Sequence, residues 1–106
     1  MIKDQENLDI LRKIKSNPNY SQRELAKELG YSLGKLNHCL KALRLKGSVK
    51  IKNFKKNPKK IRYLYVLTPK GVGEKTKLTI NFMKRKMIEY EDLKKELAND
   101  VKKNEK

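Results

Sequence analysis

Apolar residues recur along the chain at two different periods, and the changes of period divide it into elements. Leu8, Leu11 and Ile14, widened by Ile10, recur at helical spacing and predict a helix over 5–16. Asn17-Pro18-Asn19 ends it, because proline lacks an N–H and biases the preceding residue away from the helix. Ser21-Gln22-Arg23-Glu24 opens a second helix as a capping box, with Leu25, Ala26 and Leu29 on its inner face. Tyr20, just before that cap, is placed to staple onto Leu25. Gly30 supplies the left-handed conformation that stops this helix. Ser32 caps a third helix over about 33–46, where Leu36, Leu40 and Leu43 form an apolar stripe and Gly47 closes the element.

The period then shortens to two. Val49 and Ile51, with Phe54 nearby, alternate with Lys50 and Lys52, predicting a half-buried strand over 48–53. Residues 55–60 hold Asn57-Pro58 among four lysines and read as a turn. Residues 61–67, rich in Tyr, Ile and Val, form the second strand of a β-hairpin. Thr68 and Pro69 are a helix cap and a first helical residue. A long last helix follows, to about Asn99, and 102–106 is expected to fray. Ile80, Met83, Met87, Tyr90, Lys94, Leu97 and Val101 step alternately by three and four along it, a heptad seam broken once by Lys94.

Composition adds a partner to this outline. Of 106 residues, 28 are Lys or Arg and 12 are Asp or Glu, a net charge of +16. Such an excess favours a polyanion through Coulomb attraction and counterion release. The charge concentrates in 48–70, with eight basic residues and no acidic one. No stretch approaches the roughly 20 apolar residues of a membrane span, so nucleic acid is favoured over membrane. The N-terminal residues carry acids and lack the apolar run of a signal peptide. The single cysteine, Cys39, leaves no intrachain disulfide and suits a reducing cytoplasm. Cys39 and its neighbour His38 have no further His or Cys to complete a metal site, so no metal is expected. With no Trp and only two Phe, a stacking platform for single strands is a poor fit.

The element order helix–helix–helix–strand–strand–helix points to a mostly α fold with a β wing. This is a winged helix-turn-helix over 1–70, followed by a long C-terminal dimerisation helix over 71–106. A plain helical hairpin would also account for the second and third helices. It leaves unexplained the small Ala26 where two helices approach, the turn at Gly30, and the basic hairpin that follows. In the winged reading the third helix enters the major groove of double-stranded DNA. Its outward residues Gly34, Lys35, Asn37 and His38 are the candidate base contacts, with Asn37 suited to adenine and Lys35 to guanine. Ser32, Lys41, Arg44, Lys52, Lys55, Lys56, Lys59, Lys60 and Arg62 are candidate phosphate contacts. Plain solvent exposure is the competing reading for each of these residues. Ile80, Met83, Met87, Tyr90 and Leu97 are the candidate dimer interface, since a seam on so long a helix stays uncovered in a monomer; folding back onto the first helix is the alternative.

No nucleophile–base–acid set, glycine-rich phosphate loop or metal cluster is present in the sequence, so no enzyme and no cofactor are expected. A nonspecific nucleic-acid-binding protein and a winged-helix protein adaptor are the rival classes.

Ser21-Gln22-Arg23-Glu24-Leu25-Ala26-Lys27-Glu28-Leu29-Gly30, then Ser32-Leu33-Gly34-Lys35-Leu36-Asn37-His38-Cys39-Leu40-Lys41-Ala42-Leu43, then Gly47, resembles small MarR-type winged-helix regulators. Leu67-Thr68-Pro69-Lys70-Gly71, and the basic helix with Phe82-Met83-Lys84-Arg85-Lys86 and Glu89-Tyr90-Glu91, resemble the exopolysaccharide-associated MarR group. The resemblance runs from about Asn7 to Leu97. It implies a bacterial DNA-binding regulator associated with exopolysaccharide genes.

Overall fold

The computed structural model describes residues 2–57 and 60–104, with the side chains of 4–52 and 63–103. Six elements follow in order: α1 (Ile2–Ser16), α2 (Gln22–Leu29), α3 (Leu33–Leu45), β1 (Val49–Asn57), β2 (Lys60–Leu67) and α4 (Pro69–Asn104). The fold is the expected one, a mostly helical body carrying a two-stranded antiparallel wing and a long C-terminal helix.

The local signals act where their chemistry places them. The Ser21 hydroxyl oxygen accepts from the Glu24 N–H at 3.3 Å, and the hydroxyl donates to Glu24 Oε1 at 3.1 Å. Gly30 ends α2 at φ 72°, donating its N–H to the α2 carbonyls. Ser32 Oγ accepts from the Lys35 N–H at 3.1 Å and starts α3. Each cap satisfies a donor or acceptor that a helix end leaves without an intrahelical partner.

Apolar spacing decides which faces turn inward. Leu8, Ile10, Leu11 and Ile14 of α1, Leu25 and Ala26 of α2, and Leu36, Leu40 and Leu43 of α3 are all buried, and Val49 and Tyr65 close the core from the wing. Burying one such leucine stabilises a fold by about 1.5–3 kcal/mol. Tyr20, Leu29, Cys39 and Leu78 pack against the edge of the core.

The wing is longer than its apolar alternation predicts. Pairing runs from Val49↔Leu67 to Asn57↔Lys60, with an irregularity between Lys55 and Asn57. Lysines that read as a turn thus stand in strands, because a ladder is held by backbone hydrogen bonds rather than by side-chain polarity. Lys59, and Glu105 and Lys106 of the expected frayed tail, lie outside the described residues.

Body and α4 meet at one tight junction. Gly47, at φ 81°, turns the chain out of α3. Thr68 Oγ1 accepts from the Gly71 N–H at 3.0 Å and caps α4. The Gly71 Cα lies so close to the Ser48 carbonyl that a Cβ there would collide with it. Lys46 pairs with Glu74 at 2.7 Å, and the fully buried Ser48 donates its hydroxyl to the same carboxylate. Beyond Leu78 the helix leaves the body. At 1.5 Å per residue the 36 residues of α4 span about 54 Å, which accounts for most of the 75 Å long axis of the molecule. α4 packs on α1, while Ile80, Met83, Met87, Tyr90 and Leu97 stay exposed.

Candidate nucleic-acid interface

Burial of Leu36, Leu40 and Leu43 leaves Gly34, Lys35, Asn37, His38, Lys41 and Arg44 of α3 exposed. These residues do not form one face. At 100° per residue, Gly34 and Lys41 point away from the core, while Asn37 and Arg44 lean to one flank and Lys35 to the other. The two flanks have different neighbours.

On the first flank, Gly34 and Asn37 share an open concavity of about 380 Å³ with Gln22, Arg23 and Leu33. The N-termini of α2 and α3 therefore meet at one surface, where unpaired backbone N–H groups add positive potential. Gly34 carries no side chain there, and no atom lies within 4 Å of where its Cβ would stand. Tyr65 of the wing donates its hydroxyl to Gln22 Oε1 at 3.2 Å, tying the wing base to the same corner. Burial raises the Tyr65 pKa, and the positive charge of Arg44 partly counters that shift.

On the second flank, Lys35 is engaged within the chain. Its ammonium lies 2.9 Å from Glu6 of α1 and 4.1 Å from the centre of the Tyr31 ring. The hydrogen bond to Glu6 raises its pKa. His38 lies beside Glu6, Asn7, Cys39, Ala42 and Leu45 in a groove of about 700 Å³ between α1 and α3. The four candidate base contacts thus divide into pairs. Gly34 and Asn37 adjoin α2, while Lys35 and His38 adjoin α1.

Gln22 and Arg23, which border the concavity beside Gly34 and Asn37, were not among the sequence candidates. Their signal was available, since they are the first two residues after the Ser21 cap, where side chains project beyond a helix N-terminus. Ser32 is exposed with its oxygen engaged in capping, and Lys52 is exposed on β1. Lys55, Lys60 and Arg62 have defined strand registers, Lys56 falls at the irregularity between Lys55 and Asn57, and the side chains of all four lie outside the described residues.

The seam of α4 is open. Ile80 is 47% exposed, Met83 58%, Met87 66%, Tyr90 63% and Leu97 64%. Phe82, Met83, Lys86, Met87, Tyr90 and Glu91 line a shallow apolar groove along it. Among the described residues no helix is long and apolar enough to cross a membrane.

Comparison with known proteins gives this geometry a class. Residues 4–50 match the family described as winged helix-turn-helix DNA-binding. Solved structures of MarR family regulators share its fold. Staphylococcus aureus MarR in complex with salicylate and kanamycin is 19% identical and covers 78% of this chain and 54% of its own, with a TM-score of 0.64. The PcaV transcriptional regulator of Streptomyces coelicolor with its natural ligand is 15% identical, covering 89% of this chain and 73% of its own at a TM-score of 0.67. The S. aureus MepR–DNA complex is 18% identical, covering 91% and 74% at a TM-score of 0.65. The chain spans about half the length of the first of these regulators. No curated protein matches it in sequence. The fold is that of MarR family transcription regulators.

Proposed function

We propose that this chain is a homodimeric, sequence-specific DNA-binding transcription regulator of the cytoplasm, with 1–70 as the DNA-binding unit and 71–106 as the dimerising helix. The observation that supports it most is the meeting of Gly34 and Asn37 with Gln22 and Arg23 at one open surface, next to a wing whose sequence is basic and free of acids. In this reading Asn37 contacts a base edge, and Gly34 lets the backbone of α3 approach the groove. Gln22, Arg23, Ser32, Lys41, Arg44, Lys52 and the wing residues Lys55, Lys56, Lys59, Lys60 and Arg62 contact phosphate. Lys35 and His38 reach DNA at the far edge of the footprint, Lys35 only by exchanging Glu6 for it. That a DNA complex of MepR shares this fold supports the assignment.

The test is selection of bound duplexes from a random pool at physiological salt. A two-fold symmetric motif is expected, with half-sites spaced by whole turns of 10–10.5 base pairs. Asn37→Ala should relax one base position of that motif. Binding that is steep in salt and enriches no motif would instead assign a nonspecific nucleic-acid binder. The exopolysaccharide association rests on the resemblance alone, and recovered motifs upstream of such gene clusters would support it.

A further inference from the structure

The sequence seam leaves open how two α4 helices run relative to one another. Charge along α4 is segregated. Residues 69–87 carry six basic side chains and one acidic, while 88–101 carry five acidic and two basic. Lys86 is already paired with Glu89 of its own helix at 3.1 Å and stacks over Phe82. Lys84 and Glu91 form no ion pair among the described residues. The one charged seam residue is Lys94, between Tyr90 and Leu97.

Resting on the dimer reading above, we propose that the open face of α4 is covered by the α4 of a second copy running antiparallel, with the two-fold axis between Met87 and Tyr90. Antiparallel seams pair an a position with a d position. This register sets Ile80 against the partner's Leu97 and Met87 against the partner's Tyr90. Lys94 then faces the partner's Met83, along which its aliphatic stem can lie while the ammonium reaches water. Lys84 meets the partner's Glu91 twice in each dimer, and the basic run 84–86 lies along Glu91 and Asp92 of the partner. Sliding by one heptad would set Glu91 against the partner's Glu91. A parallel pair would bring the two Lys94 side chains together inside the seam. The geometry also spaces the winged bodies. Pro69 lies about 30 Å along the helix from that axis at 1.5 Å per residue. The two starts of α4 then stand about 60 Å apart, which fits half-sites two turns of DNA apart rather than one.

Two measurements test this on the full chain. In a Cys39→Ser background, separately tagged Ile80→Cys and Leu97→Cys proteins are mixed and oxidised. The 80–97 mixed disulfide is expected to dominate. Predominant 80–80 and 97–97 disulfides would overturn the antiparallel assignment while leaving the dimer in place. A monomeric parent in sedimentation would overturn both. The second measurement needs no cysteine and titrates dimer dissociation. Glu91→Lys is expected to weaken the dimer about tenfold, and adding Lys84→Glu to restore it to within about twofold. Rescue by Lys86→Glu instead would assign the parallel pair, because a parallel seam sets Lys86 against the partner's Glu91.

Discussion

Two stretches of this chain carry the same apolar signal and meet opposite fates. In α3, Leu36, Leu40 and Leu43 step by four and three, and all three are at most 1% exposed. In α4, Ile80, Met83 and Met87 step by three and four, and they are 47%, 58% and 66% exposed. Periodicity fixes that a segment is helical and which side is apolar. What covers that side depends on chain elsewhere. For α3 the cover is the rest of the body, which supplies α1, α2 and the wing base. For α4 past Leu78 the described residues leave Ile80, Met83 and Met87 exposed. The first stripe therefore contributes to folding and the second is available for association.

The sharpest way to separate the two stretches is to damage each. Leu40→Ala empties a fully covered site, and the cost should be about 2–5 kcal/mol. For so small a body that is a large part of its stability. Denaturant titration by circular dichroism should show a lower midpoint with an unchanged slope. Met87→Lys with Tyr90→Lys changes two exposed residues and should leave the body folded. It should abolish dimers in sedimentation and, by removing bivalency, weaken operator binding about 100-fold or more. A double variant that remains dimeric at normal affinity would place the interface on another surface.

The sequence disclosed most where a single residue type has one local task. Ser21, Gly30, Ser32, Gly47, Thr68 and Pro69 mark element ends because caps and left-handed turns admit few residue types. The wing was legible in kind but short in length, since Lys55 and its neighbours hold strand positions through backbone pairing that a polar pattern does not record. The interface was legible only in part. Exposure along α3 followed from its stripe, but the division of its exposed residues between two flanks did not. That division depends on Glu6 reaching Lys35 from α1 and on Gln22 and Arg23 arriving from α2, which are long-range contacts.

Where the two regions join, the comparison can be made finer. Gly71 is the first buried residue of α4. Gly71→Ala normally favours a helix interior by about 1 kcal/mol. Here the new methyl must displace the Ser48 carbonyl, so the net effect should be a loss of about 1–3 kcal/mol. The same substitution at Gly73, where a Cβ meets no atom within 4 Å, should be neutral or stabilising. Thermal denaturation of the pair measures how firmly the body holds the helix.

The smallest expected effect is electrostatic and lies at the same joint. Burial pushes the Glu74 carboxyl upward, but hydrogen bonds from Lys46 and Ser48 and the nearby charges of Lys46 and Lys70 outweigh it, and its pKa falls below the usual value. A carboxylate with a lowered folded pKa stabilises the fold at pH above its unfolded value, about 4.3, and that contribution is lost as pH falls through the folded pKa. Glu74→Gln keeps the shape and an acceptor for Ser48 but removes the charge. With Lys46 half exposed, the ion pair is screened, and the variant should be less stable by about 0.5–1 kcal/mol at pH 7. Wild type and variant should converge as the medium is acidified below pH about 4. A gap that stays constant from pH 7 to pH 3 would assign the contribution of Glu74 to packing, and the joint would then depend on the fit of Gly71 against Ser48 alone.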